Sequence, residues 1–205
     1  MASLFLMRHG STAWNAETPG AEKLRGWHDI GLATPGVVIA RSAARALQTT
    51  GIRKLYTSDL KRALDTARIM SVTLGLTVNP TRSLRPWNLG DFAGQEIAKV
   101  ADQLAQYTNG KRNVSVPQGE SFNHFLTRWT DELRALLHEA NTTDQHILAV
   151  THARNLYALE ELLFKEPIPV KGPPHPGAVL QLDGDWGQVM LHTVFPGDTG
   201  KDGVS

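Results

Sequence analysis

Leu4-Phe5-Leu6-Met7-Arg8-His9-Gly10 is the stretch on which the fold of this 205-residue chain turns. Four apolar residues without polar alternation read as a strand buried on both faces, as in a parallel sheet covered by helices. Open α/β sheets bind ligands just beyond the carboxyl ends of their strands, where this run delivers Arg8, His9 and Gly10. An arginine fork matches phosphate oxygens, glycine lets backbone approach closely, and neutral imidazole is a good nucleophile. The tripeptide alone is a weak signal, so the rest of the chain must carry it.

Downstream, a polar, glycine-punctuated loop spans Ser11 to Leu32. Thr34 reads as an N-cap with Pro35 at the first helical position, and the helix runs to about Thr50. Leu55-Tyr56-Thr57 reads as a strand, and Ser58 or Asp59 caps a helix whose apolar positions Leu60, Ala63, Leu64, Ala67, Met70 and Leu74 keep helical spacing. Leu76-Thr77-Val78 reads as a short strand ended by Asn79-Pro80. Ile97 to Leu104 marks a modest helix, and Phe122 to Leu137 carries a clear apolar stripe. Ile147-Leu148-Ala149-Val150 is another buried-strand run, followed by Thr151-His152 and a helix that stops before Pro167. Five prolines between Pro167 and Pro176 force an extended connection, and a hairpin then turns around Asp183-Gly184-Asp185. Strands alternating with helices predict an α/β fold, a three-layer αβα sandwich with a mostly parallel central sheet. The expected organisation is one domain over residues 1–196 and a frayed polar tail over 197–205.

Composition narrows the function. Net charge is +1, from 21 basic and 20 acidic side chains without a long like-charge run, which argues against a nucleic-acid or anionic-membrane surface. With no cysteine, disulfides, thiolate catalysis and cysteine-zinc sites are excluded. The opening apolar stretch is too short for a signal peptide or a membrane span, so a cytoplasmic location is expected.

Three strand ends carry chemistry of one kind. The first presents Arg8 and His9, the second leads into Ser58-Asp59-Leu60-Lys61-Arg62, and the third presents His152. Arg62 falls in the first turn of a helix, where backbone N–H groups and the helix dipole favour an anion. If the strands are parallel neighbours, two arginines and two histidines converge. That set resembles the histidine phosphatase superfamily, also called phosphoglycerate mutase-like. Leu6-Met7-Arg8-His9-Gly10-Ser11-Thr12-Ala13-Trp14-Asn15 looks like the family's opening signature, and Gly26-Trp27-His28-Asp29 is similar to the stretch that follows it. Tyr56 to Ala63, Gly119-Glu120-Ser121 and Val150-Thr151-His152 resemble its later blocks.

The resemblance implies a phosphohistidine mechanism without metal or cofactor on a small phosphorylated substrate. His9 attacks phosphorus, while Arg8, Asn15, Arg62 and His152 hold the oxygens. Flanking cations disfavour protonation of His9. The chain departs from the family at the leaving-group acid. Many members carry a glutamate after a Leu-Arg pair, but here Leu84-Arg85 is followed by Pro86, and Ala93 stands where a second acid is common. Asp91 is the expected replacement, Glu120 a weaker candidate, and no acid at all is the third option. Ala153 replaces a glycine common after the second histidine. Asn15 also reads as a turn cap, and Arg25 as either a substrate contact or a solvated loop residue. Trp14, Trp27 and Trp87 are candidates for the substrate mouth. The expected activity is a metal-independent phosphomonoesterase. The alternatives are a bisphosphoglycerate-dependent mutase and a phospho-ligand binding module that has lost turnover. Neither the natural substrate nor the oligomeric state is declared by the sequence.

Overall fold

The computed structural model describes residues 2–15, 21–163 and 174–197. Much of the proline-rich connection and residues 198–205 of the expected tail therefore lie outside the described residues. Strands Ser3–Arg8 (β1), Lys54–Ser58 (β2), Val78–Thr81 (β3), Ile147–Thr151 (β4), Val179–Asp183 (β5) and Met190–Phe195 (β6) form one sheet in the order β3-β2-β4-β1-β5-β6. The first four in that order run parallel, and the β5–β6 hairpin closes one edge antiparallel to β1. Helices Thr34–Ala46 (α1), Lys61–Leu74 (α2), Ile97–Asn109 (α3), Phe122–Thr143 (α4) and Ala153–Leu163 (α5) complete the described elements.

Every residue of β1 and of β4 is buried, which explains their unbroken apolar runs. Successive side chains of a strand point to opposite faces. Leu4 and Leu6 of β1, with Ile147 and Ala149 of β4, pack in one core with Trp129 of α4 and Leu159 of α5. Phe5, Met7, Leu148 and Val150 pack in the other, against Ala43 and Ala44 of α1 and Ala63 and Ala67 of α2. Two helical layers thus sandwich the sheet, as the alternation of elements predicts.

Three local expectations need correction. α1 begins at Thr34 with Ala33 as N-cap, and it ends at Ala46, short of Thr50, whose hydroxyl donates to the Leu47 carbonyl at 2.6 Å. α2 is capped by neither Ser58 nor Asp59. Its first N–H, on Lys61, donates to the Asp29 carboxylate at 2.7 Å, while Asp59 receives a two-pronged contact from Arg85 at 2.6 and 2.7 Å. β3 is shifted to Val78–Thr81 and includes Pro80. That position is tolerated because β3 is an edge strand, where a missing N–H leaves no ladder bond unmade.

Gly10 also has a role other than ligand approach. A Cβ there would lie 2.4 Å from the Gly36 carbonyl oxygen, and one on Gly36 would lie 2.2 Å from the Ser11 carbonyl oxygen. Both contacts are impossible for a real side chain. The loop after β1 and the first turn of α1 therefore interlock backbone to backbone, which fixes His9 just above the sheet.

Candidate active site

β2, β4 and β1 are adjacent and parallel, so their carboxyl ends open on one side. Arg8 ends β1 in register with Thr151, the last residue of β4. The His9 N–H donates to the Thr151 carbonyl at 3.0 Å, and His152 follows directly. The two imidazoles meet with ring centroids 5.1 Å apart, edge to face. Arg62, in the first turn of α2, donates from Nε to Nε2 of His9 at 3.2 Å. Its other nitrogens hold the carbonyls of His28 and Gly26, each at 2.8 Å. The guanidinium, rather than the helix end, supplies the positive group here, because Asp29 has taken the first N–H of α2.

The contacts fix the state of His9. Its Nδ1 lies 2.7 Å from the Gly10 carbonyl oxygen, which can only accept, so Nδ1 carries the proton. Nε2 is left with a lone pair, aligned by Arg62. Burial holds the pKa of His9 well below the ordinary 6.5, and Arg62, Arg8 and Arg25 add to the depression. His152 is depressed the same way, by burial first and Arg62 next. Burial also draws Arg8 down to about 10 and Arg62 to about 9, which leaves both cationic at neutral pH. Five buried polar atoms of cavity-lining residues lack a hydrogen-bond partner among the described residues: Nδ1 and Nε2 of His152, Nε of Arg8, Nη2 of Arg25 and Nε of Arg154. Buried polar groups are rarely left unpaired, and guanidinium N–H groups beside a neutral imidazole suit an oxyanion. His152 is thus not a hydrogen-bonded core histidine.

Arg8, His9, Asn15, Arg62 and His152 all line one cavity of about 650 Å³. Asn15 is also a turn cap: its Oδ1 accepts from the Thr12 N–H at 2.9 Å, and its Nδ2 donates to Glu22 at 3.2 Å. Arg25 is a cavity residue rather than a solvated one, bonded to the Thr12 hydroxyl at 2.9 Å and to Glu22 at 2.7 Å. Among the three tryptophans, Trp87 lines the cavity, whereas Trp14 stacks on His28 and Trp27 lies under Arg85.

The two carboxylates singled out from the sequence lie elsewhere. Asp91 is exposed and outside the lining, because the Gly90–Phe92 turn buries Phe92 and docks against the Pro117 carbonyl. Glu120 is buried but engaged, accepting from the Asn88 N–H and from Arg128 at 2.8 Å each. Among the described residues, the carboxyl that lines the cavity is Glu22, 3.6 Å from Arg8. Nothing in the aperiodic loop around it flagged that residue. Arg154 was missed too, although its place two residues beyond His152 was a usable signal. Among the described residues, no group of three or more histidine or acidic side chains is placed to hold a metal ion, and no helix is long and apolar enough to cross a membrane.

A three-layer sheet with paired histidines and arginines at its strand ends defines a phosphate-handling α/β protein. The profile of the histidine phosphatase superfamily (branch 1) matches residues 4–176, and the chain belongs to that superfamily. It is similar to phosphoglycerate mutase-like protein 4 of Arabidopsis thaliana, 35% identical over 170 residues that cover 76% of this chain and 70% of that protein. It is also similar to "Probable phosphoglycerate mutase GpmB" of Yersinia pestis (strain Pestoides F), 32% identical over 132 residues covering 62% of this chain and 60% of that one. Among solved structures, a mycobacterial glucosyl-3-phosphoglycerate phosphatase superposes with a TM-score of 0.72 at 27% identity, covering 94% of this chain and 96% of that one.

Proposed function

We propose that this chain is a metal-independent phosphomonoesterase that works through a phosphohistidine on His9. The supporting observation is the His9 ring itself, its Nδ1 turned to the Gly10 carbonyl and its unprotonated Nε2 accepting from Arg62 beside a second buried imidazole, a contact that substrate phosphate would take over from Nε2. Nε2 attacks phosphorus, forming an N–P bond as the bond from phosphorus to the ester oxygen breaks. Charge in such a loose transition state lies on the non-bridging oxygens, where Arg8, Arg62, His152 and Asn15 act. Asp91 is set aside as proton donor because of its exposure. Glu22 takes that role as a relay: the phosphate monoanion brings the proton, which the Glu22 carboxylate passes to the departing alcohol, and the carboxylate later takes one from the water that attacks phosphohistidine and returns it to the phosphate product. His9 leaves neutral, so protons and phosphorus balance over the cycle. The substrate class is small phosphorylated molecules, and the setting is the cytoplasm.

Two names among the relatives bear on the outcome. The mycobacterial neighbour is a phosphatase, and another of its structures is a complex with VO3. The Arabidopsis and Yersinia relatives carry mutase names, which favours a second reading in which the phosphoryl group passes to another hydroxyl. Hydrolysis of p-nitrophenyl phosphate in excess EDTA tests the first reading, with His9→Ala beside wild type. Expected is turnover that survives EDTA and disappears in the variant. Loss on metal removal contradicts it, and tight phosphate binding without turnover in either protein supports a binding module. Interconversion of phosphoglycerates primed by bisphosphoglycerate, at a rate above hydrolysis, supports the mutase.

A further inference from the structure

Arg154 sits in the first turn of α5, two residues beyond His152, and lines the same cavity. Other arginines of the molecule are matched: Arg25 with Glu22, Arg85 with Asp59, Arg128 with Glu120, and Arg112, which shares the Phe122 ring with Arg154, with Glu161. Arg154 has no ion pair and no hydrogen bond among the described residues, and its Nε is buried without a partner. Glu161, the carboxylate whose field reaches it, is engaged by Arg112. The guanidinium rests instead on aromatic faces, 4.6 Å from the Phe122 ring centroid and 5.8 Å from that of Trp87. Stacking of this kind orients the fork but leaves its charge and donors unmatched.

The wall beside it is apolar along the first turns of α3, with Thr108 as the polar residue at its far end. Ile97, Ala101, Leu104 and Ala105 follow one another at helical spacing on α3, and all four line the cavity. Leu89 and Leu24 extend the surface. Val100, beside Ile97 and Leu104 on the same side of α3, is buried in the core, and Leu104 packs partly against that core while its remaining surface lines the cavity. Alkyl groups give sugar hydroxyls nothing to bond, whereas they favour a hydrocarbon body. The Cα atoms of His152 and Arg154 are at most about 7.6 Å apart, two trans peptide steps, so a small molecule can touch both side chains.

We propose that this cavity selects phosphomonoesters of an apolar alcohol or phenol that carries a second anionic group, a carboxylate by class, received by Arg154. The phosphate lies at His9, the hydrocarbon body on the α3 stripe, and the carboxylate on the stacked guanidinium. This rests on the phosphatase reading only for the place of the phosphate.

Non-hydrolysable phosphonates separate the two readings, because their binding requires no turnover. Calorimetry in EDTA compares 4-phosphonobenzoate with phenylphosphonate and inorganic phosphate. In wild type the carboxylated ligand is expected to bind about tenfold tighter than phenylphosphonate, as a charge-assisted contact gives. Arg154→Met, which keeps the side chain's length without its charge, brings that ratio near one, and Arg154→Lys keeps most of it. Leu104→Asp lowers the preference for phenylphosphonate over inorganic phosphate by about fivefold or more. Circular dichroism and the unfolding midpoint establish that each variant is folded. Equal affinities in wild type, an unchanged ratio in Arg154→Met, or binding of neither phosphonate overturns the proposal. An intact preference without hydrolysis of any ester overturns the phosphatase reading instead.

Discussion

The two ends of the cavity are built in different ways. At one end, Arg8, His9 and His152 are the last residues of, or the first residues beyond, strands paired in a sheet with both faces buried. Their positions follow from ladder bonds and the interlocked glycines, with little freedom left. The rest of the lining comes from outside the sheet: Glu22 reaches to within 3.6 Å of Arg8 from a loop, the apolar wall comes from α3, and Arg154 rests on rings. Groups fixed by the sheet are suited to the invariant part of a substrate, the phosphate. Groups carried by loops and an outlying helix can differ without disturbing that part, and here they carry the carboxyl and the proposed selectivity.

The comparison breaks if the strand-end groups prove dispensable, so the largest effect is expected there. Arg62 holds Nε2 of His9 and two backbone carbonyls at once. Arg62→Lys keeps the charge but loses the fork, and kcat/KM should fall about 10²- to 10³-fold on every phosphate ester, whatever the leaving group. Loss restricted to one class of ester would argue against a shared phosphate end.

A smaller, more selective effect is expected at the loop end. Glu22→Gln should lower kcat by about 10²-fold on alkyl phosphates, the loss shrinking as the leaving group improves toward p-nitrophenol. Asp91→Asn should change kcat on the same series by no more than about twofold, as a surface substitution does. A reversal of these two results would return the proton to Asp91.

The third effect is on stability and sharpens the picture of a dry strand end. Both imidazoles titrate below the ordinary 6.5, chiefly through burial. Below that pH the unfolded chain takes up protons that the folded chain refuses. Their contribution is therefore full above about pH 6.5 and is lost as the pH falls, by up to about 2.7 kcal/mol per pH unit for two sites. Chemical denaturation between pH 5 and 6.5 should show that slope, and His152→Gln should roughly halve it. A flat profile would mean that at least one ring is solvated.

This division also explains what could be read from the residues alone. The apolar runs of β1 and β4 and the strand-end positions of His9 and His152 were legible because burial on both faces leaves a plain signature. Arg62 was legible because strand and helix follow each other without an intervening domain. Asp91 was put forward from its nearness to a matched block, which says nothing of the direction in which a short turn faces, and it stands exposed outside the cavity lining. Glu22 was invisible: its place depends on contacts with Arg25, Asn15 and Arg8 that no periodicity announces. The cap on α2 was misassigned for a similar reason, since Asp29 reaches it from 32 residues away in the chain.

The central claim is that phosphorus becomes bonded to His9. Rapid mixing with a labelled aryl phosphate, quenching in alkali and mapping of the peptides tests it most directly. One acid-labile, alkali-stable phosphoryl group on the peptide bearing His9, formed and lost as fast as turnover requires, is the expected result. Undiminished turnover in His9→Ala, or label on any other residue, would contradict it.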